Sequence, residues 1–144
     1  MIVDGGSVQA AVCELLDTAQ RVIEEAATEL QLRCRIIRKP RAVGLVPGGM
    51  SGKAMCPQGS GSNRIRSELL DEVVLRLQSE LRELKKRSSL PLPPYCAVRP
   101  RSHFNGGNDL WVDIGSKREG VSGLCHLLDL PPQSVLHVGD QATL

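Results

Sequence analysis

A lysine and an aspartate near the end of the chain have the residue types and surroundings expected of a phosphate and metal site. Lys117 follows the run Asp-Leu-Trp-Val-Asp-Ile-Gly-Ser, which begins at Asp109, and Asp140 follows Val-Leu-His-Val-Gly. The apolar run before Gly115 is predicted to form a strand, centred on residues 110–114. Because Gly115 and Ser116 interrupt this run just before an amphipathic stretch, Lys117 is predicted to begin a helix. The free N–H groups and the dipole at a helix start, together with the ammonium group, favour an anionic phosphate.

Asp140 is predicted to follow a buried strand, residues 135–138, after a helix that Pro131 and Pro132 bring to an end. A carboxylate just beyond the C-terminal end of a parallel strand lies where open α/β sheets bind their ligands. Its oxygens suit a hard cation such as magnesium. Taken singly, a lysine at a helix start is usually a solvated surface residue, and Gly-Asp after a strand is often only a turn. Their separation by 23 residues that contain a helix and a strand favours the functional interpretation.

Three runs of sequence, spread over most of the chain, closely resemble the IMP-specific 5′-nucleotidase family, a branch of the haloacid-dehalogenase-like phosphatases. They are Ile-Ile-Arg-Lys-Pro-Arg-Ala-Val-Gly-Leu-Val-Pro (36–47), Asn-Asp-Leu-Trp-Val-Asp-Ile-Gly-Ser-Lys-Arg-Glu-Gly (108–120) and Leu-His-Val-Gly-Asp-Gln (136–141). The resemblance implies an α/β fold of the haloacid-dehalogenase-like type. Residues 1–94 would form a helix-and-strand portion of a cap domain, and residues 95–144 the C-terminal part of a Rossmann-like core.

The resemblance also implies a role for three residues. Lys117 matches the lysine that neutralises the substrate phosphate and the nucleophilic aspartate, so it is expected to bind substrate and to act in catalysis. Asp140 matches the magnesium-binding aspartate of the Gly-Asp-Gln motif. Asp109 matches an acidic residue of the nucleotide-binding site, where a carboxylate can accept hydrogen bonds from a nucleoside. The implied reaction is magnesium-dependent hydrolysis of IMP to inosine and phosphate through an aspartyl-phosphate, with homo-oligomerisation and regulation by ATP in the full-length protein.

The chain departs from the family pattern towards both of its ends. It has no Asp-x-Asp pair placed to supply the nucleophile and the acid–base carboxylate. The N-terminal candidate is Asp4, but a glycine and not an aspartate stands two positions after it. After Gln141 only three residues follow, where the family has a further acidic run. We therefore expect a C-terminal-region fragment or a truncated gene model that is inactive alone. Two alternatives stay open: a catalytically inactive nucleotide-binding or regulatory module, and an α/β hydrolase acting on another substrate.

Composition narrows the class of protein. The 18 basic and 16 acidic residues give a formal charge of +2, and there is one Phe, one Tyr and one Trp, which argues against nucleic-acid binding. No run approaches the ~20 apolar residues that span a membrane, and the N-terminus lacks a signal-peptide pattern. Five cysteines without Cys-x-x-Cys spacing indicate reduced thiols and a cytoplasmic protein.

Periodicity predicts the elements that must position these residues. An amphipathic helix is expected from Ser7 to about Leu32, followed by strands at residues 34–38 and 42–46 on either side of Pro40. After a Gly/Ser-rich loop, a second long helix is expected from Ser62 through the apolar positions 65–84. The extended linker at residues 90–95 is where we place the domain boundary.

Two basic clusters each have two interpretations. Arg38, Lys39 and Arg41 lie inside a family-like run and are either surface charges or a cap-borne site for a nucleotide phosphate or an anionic effector. The run 85–87 at the end of the second helix is either a solvated helix end, where it complements the negative end of the helix dipole, or an anion site, and we favour the solvated helix end.

Overall fold

A computed structural model describes residues 5–48, 65–88, 100–105, 109–115 and 117–136 of the chain. The elements, in chain order, are the helix α1 (Gly5–Glu29), the strands β1 (Cys34–Lys39) and β2 (Ala42–Pro47), the helix α2 (Ser67–Arg87), the strands β3 (Pro100–Asn105) and β4 (Asp109–Ile114), the helix α3 (Lys117–Leu127) and a 3-10 turn (Pro132–Ser134). The chain divides into two compact units, Met1–Ile114 and Gly115–Leu144. The expected mixture of helices and strands is confirmed.

The strands of the first unit form one antiparallel sheet in the order β1-β2-β4-β3. β1 and β2 form a hairpin closed by the pair Lys39 and Ala42, as expected from the proline between them. β2 then pairs with β4, so that Gly44 lies opposite Trp111. The long-range pairing of β2 with β4 therefore joins strands from both halves of the chain into one sheet.

The core lies between one face of this sheet and the two long helices, which also pack against each other. Each helix has an apolar face at helical spacing, and every second residue of each central strand points towards the helices. The helix layer and the sheet therefore pack together around one continuous apolar core. Its largest fully buried side chains are Leu16 and Ile23 of α1, Leu70 and Leu77 of α2, Leu45 of β2 and Leu110 of β4. The described residues include no buried polar or charged side chain.

The helix boundaries differ by a few residues from those expected. α1 ends at Glu29 because Gln31 adopts a left-handed conformation, with φ of 51°. The Leu32 N–H then donates to the Ala27 carbonyl over 2.8 Å, which satisfies a carbonyl left open at the helix end. α2 begins at Ser67, five residues later than expected from Ser62, which lies outside the described residues.

Charged side chains tie the two long helices together at their surface. Arg76 of α2 donates to Glu29 of α1 and to Glu72 one turn away, and Arg21 of α1 lies 3.4 Å from Glu80 of α2. The hydrogen bonds to Glu29 and Glu72 raise the pKa of the Arg76 guanidinium above its ordinary value. Because these pairs are solvent-exposed, they set the alignment of the helices more than they stabilise the fold.

The sheet extends across the boundary that the sequence placed between residues 94 and 95. β4, which lies in the part of the chain expected to form a Rossmann-like core, pairs antiparallel with β2 and with β3. All four strands therefore belong to the first unit, Met1–Ile114. Within the parts of the chain that are described, no helix is long and apolar enough to cross a membrane.

The α2 helix offers a matched test of this core. Leu77 is completely buried whereas Leu75, two residues earlier, is 61% exposed. We expect Leu77→Ala to lower the free energy of unfolding by about 2–5 kcal/mol, because it removes apolar contacts and leaves a cavity. Leu75→Ala should change it by less than about 0.5 kcal/mol. Urea unfolding followed by circular dichroism measures both, and equal losses would contradict the described packing of α2.

Candidate functional site

One face of the sheet points away from the helices, and we call it the outer face. Along β4 buried and half-buried residues alternate, so that Leu110 and Val112 enter the core. Successive side chains on a strand point to opposite faces. Asp109, Trp111 and Asp113 therefore stand on the outer face, all half-buried. Two of these are carboxylates, and one of them is a residue expected to bind the nucleotide.

Trp111 is the centre of the polar contacts on the outer face. Its indole Nε1–H donates a hydrogen bond to Oδ2 of Asp109 over 2.8 Å. From β1, the ammonium Nζ of Lys39 lies 4.4 Å from the centroid of the indole ring, within the range of a cation–π contact. A cation, an aromatic ring and a carboxylate thus follow one another across three strands.

Gly44 is the residue that makes room for the indole. It lies directly opposite Trp111 in the β2–β4 ladder. A Cβ atom built on Gly44 would overlap the six-membered part of the Trp111 ring. Three of the ring atoms would lie within 2.7 Å of it. Only glycine therefore allows the ring to lie this close to the β2 backbone.

Lys117 is the first residue of α3 and is exposed, as the sequence predicted. The preceding strand is broken by Gly115, whose φ of +91° lies in a region that other residues rarely adopt. A glycine suits this position because it adopts a positive φ without the steric cost of a side chain. Lys117 stands in the first turn of α3, at the positive end of the helix dipole, a position that favours an anion.

The three expected site residues do not all fall in one described unit. Asp109 belongs to the first unit and Lys117 to the second, so each is placed relative to its own unit only. Asp140 lies outside the described residues, as do residues 137–138 of the strand expected before it. Within the described ranges, no three His, Cys, Asp or Glu side chains are grouped as a metal centre requires.

The side chains of the basic run around Pro40 do not all lie on the same face of the sheet. Arg38 donates to Asp17 of α1 over 2.8 Å, on the helix side of the sheet, whereas Lys39 lies against Trp111 on the outer face. Arg41 sits in the hairpin turn, where its carbonyl accepts from the Ile114 N–H over 2.9 Å. Because consecutive strand residues point in opposite directions, Arg38 and Lys39 do not form the single anion site that their adjacency suggested.

No role for Trp111 is predicted from the sequence alone, although its spacing from Asp109 indicates that the two side chains share a face. Asp109 and Trp111 are two residues apart on a predicted strand, which places both on one face. The contributions of Lys39 and Gly44 could not be predicted, because they depend on a register between strands far apart in the sequence.

The close approach of Gly44 to Trp111 can be tested with a matched pair of glycine variants. Gly44→Ala should displace the indole, reduce stability by about 1–3 kcal/mol and shift the tryptophan emission, because the new methyl group occupies the space of the ring. Trp111 is the only tryptophan of the 144 residues, so emission from this chain reports on it alone.

Gly123→Ala in α3 is the control, because a Cβ there meets nothing within 4 Å. It should leave the emission unchanged and gain up to about 1 kcal/mol of helix propensity. Wild-type emission and thermal stability in Gly44→Ala would contradict the described contact.

Known proteins resemble this chain over nearly its whole length. Residues 7–143 match the family model described as IMP-specific 5′-nucleotidase. The curated IMP-specific 5′-nucleotidase 1 of Plasmodium falciparum is 34% identical over 130 residues, which are 90% of this chain and 27% of that protein. The protein of the same name from Schizosaccharomyces pombe is 37% identical over 131 residues, with the same two shares. The chain therefore spans about a quarter of the length of these relatives.

Solved structures of Plasmodium falciparum IMP-nucleotidase share the fold. An N-terminally truncated, IMP-bound form superposes with a TM-score of 0.61 at 30% identity and covers 98% of this chain and 31% of that one. An ATP-bound form gives a TM-score of 0.57 at 29% identity, covering 90% and 24%. Together with the match of the family model, these similarities show that the chain belongs to the IMP-specific 5′-nucleotidase family.

Proposed function

We propose that the protein hydrolyses the 5′-phosphate of IMP, giving inosine and phosphate, and that this chain supplies part of the nucleotide site. The observation that carries the proposal is the match of residues 7–143 to the family model. The IMP-bound relative supports the choice of substrate. A haloacid-dehalogenase-like architecture is part of the same proposal.

Lys117 is proposed to hold the phosphate. The substrate phosphate is dianionic near neutral pH, and its equatorial oxygens carry much of the charge as phosphorus is attacked. An ammonium group at the start of α3, at the positive end of the helix dipole, offers a preorganised positive field to those oxygens. Preorganisation counts because donors that are already aimed at the developing charge need no reorientation during the reaction.

Asp109 is proposed to receive the nucleoside end of the substrate. Its carboxylate would repel a phosphate but accepts hydrogen bonds from the hydroxyl and N–H groups of a neutral nucleoside. Its half-buried position at the start of β4 supports this role, because partial burial strengthens a hydrogen bond to a charged acceptor. Asp109 is thus proposed to bind the nucleoside, whereas Lys117 is proposed to bind the phosphate.

Asp140 is proposed to be a ligand of a magnesium ion. A carboxylate oxygen is the donor that this cation prefers, and the Gly-Asp-Gln run that matches the family supports the assignment. When bound, the cation would neutralise charge on the phosphate oxygens and orient them for in-line attack. Asp140 itself would contribute one negatively charged oxygen ligand.

The attacking carboxylate is proposed to come from a polypeptide segment other than these 144 residues. They contain no Asp-x-Asp pair, and the chain spans 27% of the curated relatives. In the proposed reaction a carboxylate oxygen bonds to phosphorus while the bond to the 5′-oxygen breaks, and a second carboxylic acid protonates the departing oxygen of inosine. Water then cleaves the acyl-phosphate and releases inorganic phosphate.

Regulation and assembly extend the proposal. The ATP-bound relative supports ATP as an effector of this protein, and homo-oligomerisation is expected from the family resemblance.

A cytoplasmic location is supported by the free thiols of Cys13, Cys34 and Cys125 in the described residues. Burial raises the pKa of the Cys34 thiol and keeps it protonated near neutral pH.

The phosphate and metal roles are tested with Lys117→Ala and Asp140→Asn in the longest gene product that contains these residues. Each should reduce phosphate release from IMP by at least about 100-fold, because each removes a full charge from the environment of the transferred phosphoryl group. Asp140→Asn should also raise the magnesium concentration needed for half-maximal rate. A colorimetric phosphate assay over a magnesium series measures both effects.

Lys85→Ala provides the control, since Lys85 is exposed in the last turn of α2 and also loses one ammonium group. Its rate should equal that of the wild type. Activity retained by Lys117→Ala would remove this residue from the site, and an unchanged magnesium requirement in Asp140→Asn would remove Asp140.

A second candidate is a nucleotide-binding module without chemistry, which the lack of an Asp-x-Asp pair favours for the 144 residues alone. We expect this chain to release no phosphate from IMP above background, because nothing in it supplies the nucleophile. Calorimetric titration of the same sample separates the two candidates. Turnover by the chain alone would refute the external nucleophile, and IMP binding without turnover by the longest gene product would favour the binding module.

A further inference from the structure

We propose that Trp111 is a positioning residue for Asp109: its indole N–H fixes one carboxylate oxygen and so determines which oxygen is presented to the nucleotide. The inference rests on the proposed role of Asp109 and adds to it a residue acting through that carboxylate. Its basis is the 2.8 Å hydrogen bond from Trp111 Nε1 to Asp109 Oδ2. The two residues stand two positions apart on β4 and share the outer face.

The direction of this hydrogen bond follows from the chemistry of both groups. An indole N–H can only donate, and an ionised carboxylate can only accept. Oδ2 is therefore engaged by a donor that cannot reverse its role, and Oδ1 is the oxygen left to accept from a ligand. A hydrogen bond to an ionised acceptor is stronger than one between neutral groups, so it restrains rotation of the carboxylate effectively.

The position of the Trp111 indole depends on contacts with β2 and β1. Gly44 of β2 lets the ring lie against the sheet, and Lys39 of β1 places its ammonium 4.4 Å from the ring centroid. Rotation of the ring would break the contact with Lys39 as well as the hydrogen bond to Asp109. The orientation of a single carboxylate thus depends on β1, β2 and β4 together.

The group that fits Oδ1 is a neutral hydrogen-bond donor at the nucleoside end of the nucleotide, either a ribose hydroxyl or an N–H of the base. A phosphate would meet the negative charge of Asp109 and be repelled. The contact is therefore made equally in the bound substrate and in the transition state at phosphorus. Loss of such uniform binding raises KM and leaves kcat unchanged.

Trp111→Phe removes the N–H and keeps an aromatic ring against Gly44. In the longest gene product we expect KM for IMP to rise about tenfold, the order expected for losing one hydrogen bond to a charged group. kcat should stay within about twofold of the wild type. Lys85→Met is the control, because it removes an exposed cation from the last turn of α2 and keeps the indole N–H and the contact with Lys39, and it should change KM by no more than about twofold.

A double-mutant cycle shows whether Trp111 acts through Asp109. Asp109→Ala alone should raise KM, and adding Trp111→Phe should then raise it no further, since the carboxylate to be positioned is gone. Additive effects would overturn the inference, as would an unchanged KM in Trp111→Phe. A merely structural role predicts instead a lower melting temperature with equal losses in kcat.

Failure of the inference is distinguishable from failure of the proposed function. If the wild type hydrolyses IMP but Asp109→Ala has a normal KM, the inference falls and the hydrolase proposal stands. If the wild type does not hydrolyse IMP, the hydrolase proposal falls, and calorimetric dissociation constants for IMP in the same four proteins decide the inference. An equal dissociation constant in Trp111→Phe and wild type, or no IMP binding at all, overturns it.

Discussion

The pairing of β2 with β4 is the constraint on which the rest of the first unit depends. It aligns Val43 with Val112 and Gly44 with Trp111, so that two valines meet in the core while a glycine and a tryptophan meet on the outer face. A slip of one residue would turn the tryptophan towards the helices and bring the apolar residues to the opposite face. The buried face therefore fixes the register strongly, and the contacts of Trp111 on the outer face follow from it.

The alternation of side chains between the two faces of a strand also determines which partners the charged residues of β1 contact. Arg38 and Lys39 are adjacent in sequence, yet one pairs with Asp17 on α1 and the other lies over the indole. A basic run in a strand is thus shared between two faces, whereas in a helix residues three or four apart would share one face. β1 therefore contributes a single cation, Lys39, beside the aromatic ring on the outer face.

The sequence predicted the elements well where periodicity was strong and the partners were local. α1, β1, β2 and β4 were each found within a few residues of their predicted bounds, and Lys117 begins its helix as expected. β3 was not predicted, because Pro100–Asn105 lacks the apolar alternation of a half-buried strand, and its proline takes the first position of an edge strand. The antiparallel order was also missed. Strand order depends on pairing between distant segments, and the resemblance to a phosphatase core favoured parallel strands.

The helix that carries Lys117 has a further physical requirement. Among the described side chains of α3 only Cys125 is buried, while Leu124 and Leu127 are 53% and 79% exposed. A helix of 11 residues is marginal in water without tertiary packing. If Lys117 holds a phosphate, the helical conformation at the start of α3 must be stabilised. Gly115 and Asp129, whose φ is 51°, restrict the backbone only at the two ends of the helix. The apolar face of α3 is therefore as necessary to the proposed phosphate site as the lysine, because the free energy that orders the helix start must come from covering that face.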